Sequence, residues 1–391
     1  MAESQGALSG VRVLDLTDER GIYGAKLLAD LGADVVRVEP PGGDALRARG
    51  PHIDGHEGED SSLYYAFFGS NRRSFVADLE RDDGQQQVRE LAAKCDVLLL
   101  CDGRHGSDLV ADMPHRKEQV VIHCSSFGTG GPWEGYAAPD LVAGALAGQV
   151  ATTGDERTTP LKTFGELNFM VSGAYVGIAA LAGLYDQRES GSGQSVEVSV
   201  HECIASCIEQ VFMFYWYETT LMRDEGKVLP RRGPTHWSDA FTVMNGVDGS
   251  IMVTPTPDFD TQLAWLIEEN AHGDLIDPKY EDPENLRERI FVTMATLAQW
   301  VADKEVEPLF YEAQKRHIPY GWVQPIERVG DNPQLLARDW FVEHQVGAQT
   351  VRSSGAPYQF SETPWRLGDH AVTGQDTDAI LAEIGWSIND E

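Results

Sequence analysis

Residues 11–38, VRVLDLTDERGIYGAKLLADLGADVVRV, decide the fold. Val11–Leu16 is a short apolar run of buried-strand type, closed by the polar Thr17-Asp18-Glu19-Arg20-Gly21. Ile22–Leu31 follows with Leu27, Leu28 and Leu31 on one face, which predicts a helix stopped by Gly32. Asp34–Val38 is a second apolar run, ended by Glu-Pro-Pro-Gly-Gly-Asp. Strand, helix and strand within about thirty residues make a βαβ unit, parallel and right-handed.

The same alternation continues outward. Arg73–Leu79, Asp96–Leu100 and Val120–Ser125 read as strands and Asp83–Ala93 as a helix, giving an open α/β sheet. Ligands of such sheets lie beyond the carboxyl ends of the strands. The candidate loops are therefore Asp18–Gly21, Glu39–Asp44, Cys101–Gly106 and Ser125–Pro132. None carries a dinucleotide fingerprint, because Gly128-Thr-Gly-Gly-Pro132 leads into a loop and not a helix.

Further along, the loop Leu161–Met170 opens into a helix at Val171–Leu184 rich in Gly and Ala (Gly173, Ala174, Gly177, Ala179, Ala180, Gly183), so another segment can approach its backbone closely. The turn Gly191-Ser-Gly-Gln194 ends it and the strand SVEVSV follows. Glu166 stands at the helix mouth. It reads either as an ordinary first-turn residue or as a reactive carboxylate at the positive end of the dipole.

His201–Thr219 predicts a helix with an aromatic end. Its aromatic residues, with Trp237, read either as core or as the wall of an apolar ligand pocket. Composition changes at Arg223–Asp239, which is polar and proline-bearing like a linker. Phe241–Pro255 holds two short strands around Asn245-Gly246, and 258–336 is mainly charged amphipathic helix. The tail ends in a short helix, Thr377–Ile384.

The 391 residues are 42% apolar and 24% charged, with a formal net charge of −31. That charge speaks against nucleic acid or an anionic membrane as partner and suits a salty medium. No signal peptide is visible, and Val171–Leu184 is too short to span a bilayer. Cys95, Cys101, Cys124, Cys203 and Cys207 form neither a disulfide framework nor a zinc spacing, so the expectation is a reduced, cytoplasmic, metal-free protein. There is no Gly-x-Ser-x-Gly elbow, P-loop or His-Glu-x-x-His motif.

In order along the chain stand LSGVRVLDLT (8–17), LLADLGADVVRVEPPGGD (27–44), SNRRSFVADLERDDG (70–84), CDVLLL (95–100), SSFGTGGPW (125–133), GSGQSVEVSVHE (191–202), IPYGWVQPIERVGDNPQLLARDWFVE (318–343), GAPYQFSETP (355–364) and GQDTDAILAEIGWS (374–387). These segments resemble the class III CoA-transferase family, which groups formyl-CoA transferase, carnitine CoA-transferase and the α-methylacyl-CoA racemases. The resemblance implies a Rossmann-like large domain built from both chain ends, expected over 1–222 and 330–391. A smaller α+β middle domain is expected over 223–329, and two subunits are expected to interlock as a dimer. Its chemistry transfers CoA from an acyl-CoA to an acceptor acid through anhydride and thioester intermediates on an enzyme carboxylate, with no permanently bound cofactor.

The family's nucleophile is an aspartate at the mouth of the small-residue helix, often in a Gly-Asp pair. Gly165-Glu166 is the matching pair here. An ungapped match counted back from Gly191 instead puts Phe169 at that position, with Glu166 three residues earlier. Two readings stay open: Glu166 acts as nucleophile with Asp140 assisting, or the chain is a silent subunit paired with a competent paralogue. The second resembles the branch with non-catalytic partners such as that of benzylsuccinate CoA-transferase. A racemase is the third reading, although Pro139 stands where racemases carry a histidine base before Asp140. Asp140 also reads as a helix N-cap for LVAGALAG. The CoA-holding candidates are Arg20, Arg37, Arg72, Arg73 and Arg104, each of which can instead be a solvated surface charge. Expected partners are thus an acyl-CoA, a carboxylic acid, and a second identical or paralogous subunit.

Overall fold

A computed structural model describes residues 6–55, 61–217, 231–235, 240–255 and 259–386. It divides into two compact units, one made of residues 1–149, 162–209 and 334–391 and the other of 150–161 and 210–333.

The first unit is built on a six-stranded parallel sheet: β1 (Arg12–Leu16), β2 (Asp34–Glu39), β3 (Arg72–Val76), β4 (Val97–Cys101), β5 (Val120–Ser125) and β6 (Ser195–Ser199). The spatial order is β3-β2-β1-β4-β5-β6. This is the order of doubly wound dinucleotide-binding sheets, and β1 and β4 flank the point where the winding reverses. Alternate residues of each strand face opposite layers. Val13, Val35, Leu99 and Ile122 share one buried cluster with α1 (Ile22–Asp30). Leu14, Val36, Leu98 and Phe75 share the other with α3 (Asp82–Ala93) and the C-terminal helix Thr377–Ile384; α2 (Leu63–Phe68) precedes β3. The tail thus completes the layer over the first strands, and Asp376 accepts the Ser74 N–H at 2.9 Å.

After α4 (Ser107–Ala111), α5 (Asp140–Leu146) and the single turn α6 (Gln149–Thr152) comes α7, Leu167–Ser190. It is ten residues longer than the apolar run predicts. Its ends extend past the hydrophobic stretch because Gly191, at φ +70°, supplies the left-handed cap and Asp140 supplies an acceptor at the start. Among the described residues it is the one helix long and apolar enough to cross a membrane, yet half of that apolar window is buried in the protein. Gly173 serves close packing on α1, and Gly183 packs on Val120 of β5. A Cβ on Gly24 would lie 2.5 Å from the Gly173 carbonyl oxygen, and one on Gly173 would lie 2.7 Å from Tyr23 Cβ.

The predicted helix over 201–219 is two helices, α8 (Val200–Ser206) and α9 (Glu209–Trp216), broken at Cys207-Ile208; residues 218–219 and Trp237 lie outside the described residues. Phe212 stacks on Trp216 at 5.4 Å, and Trp216 is 67% exposed, so this end is not core within the single chain. Phe341–Val346 and Gln349–Ser354 form an antiparallel hairpin that the sequence reading leaves unassigned. The second unit has the antiparallel sheet β7 (Thr242–Asn245), β8 (Ser250–Val253) and β9 (Gly321–Val323). Its helices Phe259–Glu268, Leu286–Val301 and Val306–Lys315 bury a core around Trp265, Leu297 and Tyr320.

Candidate active site

The carboxyl ends of β1, β4 and β5 open into a cleft of about 360 Å³. Asp18, Glu19 and Arg20 line it from the loop after β1, Asp102 and Gly103 from that after β4, and Ser126 from that after β5. Tyr136–Pro139 and Phe169, in the first turn of α7, complete the wall. Loop placement at the winding reversal follows from topology, since neighbouring strands there send their chains to opposite faces and leave a crevice.

Asp140 is buried behind this wall. Its Oδ2 accepts the Phe169 backbone N–H at 3.1 Å and its Oδ1 accepts Asn168 Nδ2 at 3.2 Å, with Lys162 Nζ 3.8 Å away. Asp140 therefore caps α7. Its own helix α5 has Pro139 at the N-cap and no side-chain cap, so Asp140 does not cap LVAGALAG as expected and serves a different helix. Ser172 Oγ donates to the Arg20 carbonyl at 2.7 Å and ties the same end of α7 to the β1 loop.

Glu166 is the residue before the first turn of α7 and does not cap it. Its carboxylate is instead held by Arg49 Nη2. The guanidinium stacks on the Tyr64 ring at 4.4 Å and donates from Nη1 to the Tyr64 hydroxyl at 3.3 Å. Both ion-pair side chains are about one-third exposed. Nothing in the sequence marks Arg49, Tyr64, Lys162 or Asn168, because no spacing connects residue 49 to residue 166.

The five arginines fall in different places. Arg20 lines the cleft, folded onto Asp18 (Nη2 to Oδ2, 2.5 Å) with Nη2 also donating to the Asp102 carbonyl at 2.7 Å. Arg37 is 1% exposed and donates to Asp15 Oδ2 at 2.8 Å, to Asp44 and to the Thr17 carbonyl. Arg72 is buried against the same Asp15. Arg104 reaches Asp44 Oδ2 at 2.6 Å and the carbonyls of Thr17 and Val38. Arg73 grips Glu383 with two bonds of 3.0 and 2.8 Å beside Asp34, at the opposite, amino-terminal end of β2.

These buried pairs set their own protonation. Burial alone would raise the Asp15 carboxyl, but Arg37, Arg72 and the Thr17 donors outweigh it and hold the group well below the usual carboxylate range. Asp44 and Glu39 are lowered likewise, against burial, by Arg37 with Arg104 and by Arg47. Around the cleft, Cys101 and Cys124 face each other across β4 and β5 as buried free thiols. Among the described residues no cluster of three or more His, Cys, Asp or Glu gathers as a metal site.

Known proteins resemble this chain in sequence and in fold. The chain is 29% identical to the succinyl-CoA:(R)-benzylsuccinate CoA-transferase subunit BbsE of Thauera aromatica, over 97% of this chain and 94% of that one. It is 28% identical to human succinyl-CoA:glutarate CoA-transferase, covering 96% and 86%. The fold matches the crystal structure of a CAIB/BAIF family protein from Brucella suis with a TM-score of 0.79 at 24% identity, covering 97% of this chain and all of that one. Residues 8–377 match CoA-transferase family III, and the chain belongs to that family.

Proposed function

We propose that this chain acts in the transfer of CoA between an acyl-CoA thioester and a carboxylic acid, with Glu166 as the nucleophile. The observation that carries this reading is that Phe169, in the first turn of α7, lines the β1/β4/β5 cleft, and Glu166, three residues before it, holds a partly exposed carboxylate. The Glu166 carboxylate attacks the thioester carbonyl, giving a glutamyl–acyl anhydride and CoA thiolate. The thiolate attacks the glutamyl carbonyl, giving glutamyl-CoA and the free donor acid. The acceptor carboxylate then attacks glutamyl-CoA, re-forming an anhydride and thiolate. Thiolate attack on the acceptor's acyl carbon releases the new acyl-CoA and Glu166. Asp140 supports this by fixing the Asn168–Phe169 turn.

Of the arginines, we assign CoA contact first to Arg20, which faces the cleft. Arg37, Arg72 and Arg104 are already matched to buried carboxylates, so their proposed part is to stiffen the loops after β1 and β2. The names of both curated relatives contain dicarboxylic acids, and we take that class as donor and acceptor here. The outer faces of α5 and α7 expose Leu141, Leu146, Ile178 and Tyr185, an apolar patch suited to a second subunit, identical or paralogous, in an interlocked dimer. All five cysteines are free, in keeping with a cytoplasmic site.

A second reading, the silent subunit, is favoured by Phe169: a buried apolar side chain, with its N–H committed to Asp140, occupies the first turn of α7. Glu166→Gln separates the two. Loss of transfer by about 10³-fold or more, with a wild-type glutamyl-CoA adduct located at Glu166 by mass spectrometry, supports the first reading. Unchanged transfer in the variant sinks Glu166 as nucleophile, and transfer that appears only with a paralogous subunit present favours the second.

A further inference from the structure

Arg49 is positioned independently of the carboxylate it holds. It comes from the segment before α2, with its guanidinium against the face and hydroxyl of Tyr64. Tyr64 is itself fixed: its ring packs on Phe68 at 4.6 Å, and Ser62 caps its helix. Burial, which outweighs the opposing pull of Arg49, keeps the phenol protonated far above the usual range, so Tyr64 contributes no charge. Glu166 reaches the same guanidinium from the loop before α7. Phe169, which lines the cleft, follows Glu166 by three residues, and both partners of the pair stay partly open to solvent.

A guanidinium offers five donors in a planar fork shaped for carboxylates. An ion pair that is one-third exposed is weak, so a second carboxylate can compete for that fork. Glu166 stops being an anion once it is converted to a thioester, and Arg49 then loses its partner. We propose that Arg49 determines the substrate class by exchanging Glu166 for the remote carboxylate of a dicarboxylic acid. A dicarboxylic donor thereby frees Glu166 for attack. At the glutamyl-CoA stage the unpaired fork selects an acceptor carrying a second carboxylate. A monocarboxylic acid of equal length offers nothing to exchange. This inference rests on the reading of Glu166 as nucleophile.

Calorimetric titration of the full chain with succinate and with butyrate tests it without requiring turnover. Glu166→Gln imitates the neutral thioester stage, so it should bind succinate about fivefold more tightly than wild type and leave butyrate unchanged. Arg49→Gln should erase the preference for succinate, alone and combined with Glu166→Gln, and Arg49→Lys should retain part of it. Equal or weaker succinate binding by Glu166→Gln overturns the proposal. So does a succinate preference that survives in Arg49→Gln, or no binding of either acid by wild type and Glu166→Gln. If Glu166→Gln transfers CoA at the wild-type rate, the nucleophile assignment fails, while the binding ratios still report on Arg49. Arg49→Lys guards against misreading a variant that has merely lost its fold.

Discussion

Phe169 donates its backbone N–H to Asp140 Oδ2 at 3.1 Å, so the carboxylate that opens one short helix caps the twenty-four-residue helix beside it. The first-turn N–H groups of a helix have no partners of their own, and a carboxylate there also meets the positive end of the dipole. Asp140→Ala should therefore cost about 1–2 kcal/mol, read as a fall in Tm of roughly 2–4 °C. Asp140→Asn should cost less, because an amide oxygen still accepts. A Tm unchanged in Asp140→Ala would contradict the capping role.

The contact between α1 and α7 gives a graded test. Gly24→Ala and Gly173→Ala each force a methyl to within 2.5–2.7 Å of the facing chain, and each should destabilise by about 1–3 kcal/mol. At Gly177 the nearest atom to an added methyl is 3.7 Å away, an ordinary contact. Gly177→Ala should be neutral or stabilise by about 0.5–1 kcal/mol through helix propensity. Urea unfolding of the three variants measures the order; a Gly24→Ala protein as stable as Gly177→Ala would refute the close approach.

The buried charge cluster predicts a pH dependence. Asp15, Asp44 and Glu39 all have folded values below the ordinary carboxylate range, so the unfolded chain binds more protons than the native one as pH falls. Their contribution is complete above the ordinary value of about 4 and is lost as pH drops through the lowered folded values. Arg37→Met removes the guanidinium shared by Asp15 and Asp44 and should cost about 3–5 kcal/mol near neutrality. Protonation of the stranded carboxyls then relieves part of that cost. The difference from wild type should therefore narrow toward pH 4, as measured by denaturant titration across pH. A penalty that stays constant with pH would show that lost packing, and not charge, dominates.

Net charge sets a further expectation. With −31 at neutral pH, the folded chain repels itself, and added salt screens that repulsion. Raising KCl from about 0.05 to about 1 M should raise Tm by roughly 5 °C, most of it in the lower half of the range because screening saturates. A flat or falling Tm would mean that the surviving ion pairs matter more than the bulk repulsion.

The local pattern of residues 11–38 was enough to read a parallel α/β sheet, because alternating buried runs and a 3.6-residue apolar period are properties of neighbouring residues. The glycines of 173–183 likewise announced a close neighbour without naming it. The sequence also reached Glu166, at a recognisable helix mouth, and the family resemblance added Asp140. Whom each touches was another matter. Arg49 and Glu166 are 117 positions apart and meet only because folding brings the segment before α2 against the residue before α7. Asp140 looked like the cap of its own helix, and tertiary packing gave it to α7. Arg37 and Arg104 read as surface charges or as ligand contacts; the registered pairing of β1 with β2 brings Asp15 opposite Arg37, and both are closed into the interior. Sequence alone determined the strands of the parallel sheet, their winding and the end of the sheet where a ligand belongs. Only the tertiary structure decided which charges are consumed by one another and which still face the cleft, because ion pairs form between groups that the chain brings together from far apart.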